Sequence, residues 1–141
     1  MTYLWDVLTG TRTVALAVPY SAHDSVTAVA FSPDGRLVAT GSYDGSTYLW
    51  SPGGGPARAV LTDPGTVTGV EALAFGSGGR LLAVGDVNGH VYLWRLPAGR
   101  ITEELTIPAG QAHVWAVAFA PGGRTLAAAD HGNVAYLWRA G

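Results

Sequence analysis

The sequence predicts an all-β fold built from a repeated unit, and three observations carry that prediction. First, a Tyr-Leu-Trp string occurs four times, in TYLWD (2–6), STYLWS (46–51), VYLWR (91–95) and AYLWR (135–139). Second, the four tryptophans, Trp5, Trp50, Trp94 and Trp138, stand 45, 44 and 44 residues apart, a step typical of repeat architectures. Third, the apolar runs are short, rich in Val, Leu, Thr and Tyr, and separated by Gly, Pro, Asp or Asn, which is strand-and-turn punctuation.

Each period divides into four strands, here a to d. Strand a closes on a phenylalanine, in VTAVAF, VEALAF and VWAVAF, ending at Phe31, Phe75 and Phe119. A turn follows, SPDGR, GSGGR or APGGR, with Arg36, Arg80 and Arg124 in register. Strand b comes next, in LVATGSYDG, LLAVGDVNG and LAAADHGN. It ends in turn sequences whose Asp, Asn and Gly tolerate positive φ. Strand c carries the tryptophan. Strand d follows, in the first unit after the Gly-rich connection SPGGGPAR (51–58). The expected strands of the first unit are 25–32, 36–42, 46–51 and 57–62. Those of the second are 69–75, 80–85, 90–95 and 101–107, and those of the third 113–119, 124–129 and 134–139 with no d strand. The N-terminal residues supply c and d alone, over 2–6 and 11–18. The expected organisation is thus a c–d pair over 2–18, complete units over 25–62 and 69–107, and an a–b–c unit over 113–139.

At 141 residues the chain is long enough for one domain with a real core. Its 48% apolar content sets it apart from disordered compositions. Formal net charge is −2, and all eight basic residues are arginines spread singly along the chain, an argument against a nucleic-acid groove. Cysteine is absent, which excludes disulfide and thiolate chemistry. No run of about 18 apolar residues suggests a membrane span, no signal peptide is visible, and the cytoplasm is the expected location. Absence of lysine, with abundant Gly, Ala, Val and Arg, points to a GC-rich bacterial genome.

The segment SAHDSVTAVAFSPDGRLVATGSYDGSTYLW (21–50) resembles the WD40 family of β-propellers through its His, Phe-Ser-Pro-Asp-Gly, Asp-Gly and Trp landmarks. The resemblance covers nearly the whole chain. It implies a propeller of four-stranded antiparallel blades, three blades per chain, and a protein-docking role rather than an enzymatic one. It also implies a structural hydrogen-bonded tetrad in the first blade, His23, Thr40, Asp44 and Trp50. The second blade has Val67, Val84, Asn88 and Trp94 at those positions. The third has Ala128 and Gly132 at the hydroxyl and carboxylate positions, with His113 two residues out of register. Trp94 and Trp138 are therefore expected to direct their N–H groups to backbone or water.

No catalytic constellation emerges. His23, Asp24 and Ser25 are adjacent on an extended segment, where alternate side chains diverge. DVNG (86–89) lacks the further oxygens of a calcium loop. His90, His113 and His131 share no metal-ligand spacing, and no Gly-rich segment opens a helix to hold phosphate. Glu103–Glu104 and Asp130–His131 read as solvated surface. No cofactor or metal is expected. Function then falls to the face bearing the d–a and b–c connections. Thr27, Glu71 and Trp115 recur there at the start of strand a, and Tyr43, Val87 and His131 precede the turn carboxylate position. Tyr43, Trp115, His131 and Glu71 are the candidate partner-binding residues, because amphipathic rings dominate interface energetics. The other reading of Trp115 is a plug of the central opening or a side chain packed on a neighbouring blade.

Three blades do not close a ring, so the chain is expected to associate with copies of itself. A nine-bladed trimer is favoured, with a six- or eight-bladed dimer as alternatives. Because strand c is present at both ends, the copies at 2–6 and 135–139 are expected to compete for one slot. The C-terminal copy is expected to hold it, and the N-terminal copy to lie outside the blade or against another subunit. The remaining readings are a ligand-free assembly unit and an enzyme with a site in the ring channel.

Overall fold

The computed structural model describes residues 1–18, 25–65, 69–108 and 113–139. Among them are thirteen strands and no helix, hence no helix able to cross a membrane. β1 (Thr2–Asp6) and β2 (Thr11–Leu16) form a two-stranded antiparallel hairpin. β3 (Val26–Phe31), β4 (Val38–Ser42), β5 (Ser46–Trp50) and β6 (Ala59–Thr62) form one four-stranded meander. β7 (Val70–Phe75), β8 (Leu81–Asp86), β9 (His90–Arg95) and β10 (Arg100–Thr106) form the second. β11 (Val114–Phe119), β12 (Thr125–Asp130) and β13 (Ala135–Arg139) form a three-stranded sheet. Every pairing is antiparallel, and each a strand is bulged near its start, between Val26 and Ala28, Val70 and Ala72, and Val114 and Ala116. A bulge at that point sharpens local twist and re-aims the intervening side chain, here Thr27, Glu71 or Trp115.

The turns follow their chemistry. Gly35, Gly79 and Gly123 take φ near +68° in the a–b turns (69°, 67° and 68°), a region that costs glycine nothing. Gly45 and Gly89 take φ of 85° in the b–c turns, and Asn133 replaces glycine there with φ of 64° in the third unit.

The core is a stack of seams between blades. The face of each blade carrying its Tyr-Trp pair packs on the aliphatic face of the blade before it. Tyr92, Trp94, Leu82 and Val84 meet Ala39, Leu49 and Leu61. Tyr136, Trp138 and Leu126 meet Ala83, Leu93 and Ile107. Tyr48, Trp50 and Val38 meet Leu4 and Leu16 of the N-terminal hairpin. Leu4, Leu49 and Leu93 hold the same register, so β1–β2 occupies the place of the outer half of a blade. Within the chain β1 and β13 sit at opposite ends of the arc, and burial of Leu4 and Leu16 on the Trp50 face holds the hairpin in place.

Close approach at the inner strands leaves no room for a side chain at Gly41 and Gly85. A Cβ on Gly41 falls 2.4 Å from Val70 Cγ1, and one on Gly85 falls 2.6 Å from Val114 Cγ1. Val70 and Val114 are fully buried and too short to swing away. Gly85→Ala is expected to lower stability by about 1–3 kcal/mol, the usual cost of overpacking, read from the denaturant midpoint. An unchanged midpoint would mean that blades two and three are not this close.

Candidate functional site

Of the implied tetrad, the described residues contain three members, and His23 lies outside them. Trp50 Nε1 donates to Thr40 Oγ1 at 2.9 Å, with both side chains buried. Asp44 takes two donors of its own blade, the Ser46 amide at 2.7 Å and the Tyr48 hydroxyl at 3.1 Å. This carboxylate therefore ties the b–c turn to the aromatic face.

In the second blade a different residue accepts the tryptophan N–H. Trp94 Nε1 donates to Asp63 Oδ1 at 3.3 Å, across the seam from the end of the first blade's d strand. The expectation of a backbone or water partner is corrected for Trp94. Asp63 is buried, and its Oδ2 has no partner among the described residues. Burial raises its carboxyl to about 7, the Trp94 hydrogen bond opposes that, and the charge of Asp86 adds to it. The turn carboxylates also move. Asp86 Oδ1 accepts the amides of Asn88 and His90 at 2.9 and 2.8 Å, and Asp130 Oδ1 those of Gly132 and Val134 at 2.8 and 3.1 Å. The anion that closes these turns sits two residues before the position aligned with Asp44. Tyr136 reaches Asp130 Oδ2 at 3.3 Å much as Tyr48 reaches Asp44. Buried beside Asp86, the Tyr92 phenol is pushed up to about 12.

The a strands of the three blades lie side by side, β3 against β7 and β7 against β11. Their bulged positions meet at one open cleft of about 440 Å³, lined by Thr27, Glu71, His113 and Trp115. Glu71 Oε1 lies 3.0 Å from His113 Nδ1, and its buried Oε2 has no partner among the described residues. Trp115 is 58% exposed, with the His131 ring edge-on at 4.7 Å between centroids. Thr27 Oγ1 hydrogen-bonds to the carbonyls of Gly41 and Val70, so it braces the inner strands rather than facing a ligand. Tyr43 stands apart from the cleft, half-exposed, its ring against Gly69 at the start of the next blade. Of the four candidates, then, Glu71, Trp115 and His131 are gathered and Tyr43 is not. His113, which the tetrad pattern places out of register, joins them. No group of three or more potential metal ligands exists among the described residues.

Stacked antiparallel four-stranded sheets with their first strands inward define an arc of a β-propeller. Residues 15–51, 58–95 and 103–139 each match the WD40 family model, described as WD domain, G-beta repeat, and the chain belongs to that family. Proteins built from these repeats are of the interaction-scaffold type, generally without enzymatic activity.

The buried Asp63 gives a pH test. Its folded carboxyl titrates above the ordinary value of 3.8, near 7. The folded state therefore holds the proton more tightly, and stability present below pH 4 is lost as pH rises through about 7. Asp63→Asn keeps an acceptor for Trp94 and removes the ionisation. Relative to wild type it is expected to gain stability steadily between pH 4 and 8, measured by thermal midpoint. A difference independent of pH would show that Asp63 is not buried against Trp94. In the first blade, Thr40→Val is expected to cost about 1–3 kcal/mol by stranding the Trp50 N–H. Equal midpoints for the variant and wild type would deny that hydrogen bond.

Proposed function

We propose that this chain is a non-enzymatic docking scaffold whose contact site is the cleft at the inner strand starts. The observation that carries the reading is the Trp115 indole, largely exposed and edge-packed by His131, beside the Glu71–His113 pair. A large ring held at low entropic cost next to a polar, hydrogen-bonding pair has the make-up of an interface hot spot. Trp115→Ala and Glu71→Gln are expected to abolish capture of the partner that wild type retains in cross-linked affinity capture, with an unchanged circular dichroism spectrum. Retention of that partner by the double variant would refute the assignment of this cleft.

A second reading concerns how the arc is completed. Trp5 and Leu137 are 59% and 72% exposed. They are the register equivalents of Trp94 and Leu93, whose faces are covered inside the chain. The Tyr3–Trp5 face of one copy thus complements the Ala127–Leu137 face of another by the rule that builds the internal seams. Ring closure by self-association is our proposal, with the nine-bladed trimer favoured and the six- or eight-bladed dimer as alternatives. Joining whole blades requires β1 of one copy and β13 of the next to exchange one slot, and brings Ala129, the register equivalent of Gly41 and Gly85, onto Val26. Joining partial blades leaves no inner strand opposite Ala129. Light scattering is expected to return about three times the 14.6 kDa chain mass, and Ala129→Gly to tighten whole-blade association by relieving that overlap. A monomer at micromolar concentration would rule self-closure out.

A further inference from the structure

The eight arginines, dispersed in sequence, are gathered by the fold. In an antiparallel meander the a–b and c–d connections leave at one end of the blade, and the b–c and d–a connections at the other. Arg36, Arg80 and Arg124 sit in a–b turns, and Arg58 in the c–d connection. Arg95 and Arg139 end c strands, while Arg12 and Arg100 begin or nearly begin d strands, all at that same end. Every one of the eight is exposed. Among the described residues the ion pairs belong to His90 and His113, and no arginine is paired with a carboxylate. Arg36, Arg58 and Arg80 line one groove between blades one and two, and Arg95, Arg124 and Arg139 another between blades two and three. The carboxylates on this side are few. Asp6 and Asp34 are engaged in closing their own turns, and Glu103 lines the second groove. Among the described side chains, eight arginines against three carboxylates leave five net positive charges on a side of a chain whose overall charge is −2.

The same side carries an apolar tip. The β1–β2 turn places the adjacent residues Val7 and Leu8 at 92% and 94% exposure. Asp6 Oδ1 accepts the Leu8 and Thr9 amides at 2.9 and 3.0 Å and holds the turn in shape. A stretched nucleic acid would use the charge and not this tip, whereas a bilayer uses both. Anionic headgroups attract the arginines, and the acyl boundary takes up the projecting aliphatic pair. We infer that the a–b and c–d side of the propeller is a peripheral docking surface for an anionic phospholipid bilayer, with Val7–Leu8 as the inserted tip.

Flotation with phosphatidylcholine vesicles, with and without about 30 mol% phosphatidylserine, tests this. Wild type is expected to float only with the anionic vesicles, and progressively less above about 0.1 M salt, where surface charges are screened. Arg58→Glu/Arg80→Glu should reduce partitioning by about 30-fold or more, taking about fivefold per arginine lost. Val7→Ser/Leu8→Ser should reduce it at least tenfold with all arginines in place. Both variants should keep the wild-type circular dichroism spectrum and light-scattering mass. No flotation with anionic vesicles at low salt would overturn the inference. So would tip-independent flotation accompanied by tighter binding to a fluorescent duplex or single strand, which would assign the side to nucleic acid. A fall in mass in either variant would equally overturn it, by showing that a second copy covers this surface.

Discussion

The seam between blades is the contact on which the rest of the molecule depends. One blade offers a leucine from c, an alanine from b and an aliphatic residue from d, and the next offers its Tyr-Trp pair with two b-strand residues. Neither face has another way to leave water, because each sheet is one layer thick. Burial of a tryptophan and several aliphatics at each seam supplies the main driving force for a chain with no helix among its described residues and no cysteine in its sequence. The tryptophan N–H must then be satisfied inside the seam. Thr40 does this within the first blade, and Asp63 does it across the seam in the second, at the expense of an ionisable group in a buried place.

Once the seams set the blade spacing, the sites follow. The inner strands come close enough to exclude a Cβ at Gly41 and Gly85, which brings the bulged positions Glu71 and Trp115 to one cleft with His113. Antiparallel order sorts the turns into two ends. One end collects the carboxylates of the b–c turns, Asp44, Asp86 and Asp130, together with the Trp115 cleft. The other collects the arginines. A chain of near-neutral charge becomes polar along the propeller axis, and each end suits a different kind of contact.

Much of this was legible in the sequence, for a physical reason. Strand positions repeat every 44 or 45 residues, and each landmark has a local cause: glycine where φ is positive, phenylalanine at the end of a, tryptophan in c. The observed strands accordingly fall within about two residues of those expected at nearly every boundary. The departures lie where partners are distant in sequence. Asp63 is 31 residues from Trp94, in a register position held by Ile107 in the next unit, so no local pattern marks it as an acceptor; the one available signal was a lone charge in an apolar register. Asp86 and Asp130 took over a turn-closing task from two residues further along, a shift that alignment to Asp44 conceals. The arginines look scattered when counted along the chain, yet their placement in a–b turns and at the c–d ends of strands already implied a common side.

If the sheets stack through these seams, a double-mutant cycle across one seam will register the contact. Leu49→Ala and Trp94→Phe lie in one core cluster but in different blades, whereas Leu49 and Trp138 belong to different seams. Stability of the two single variants and the double variant, from urea denaturation, should show a coupling of about 1 kcal/mol or more between Leu49 and Trp94. The Leu49 and Trp138 effects should add within about 0.5 kcal/mol. Strict additivity at Leu49 and Trp94 would contradict the stacked-blade account.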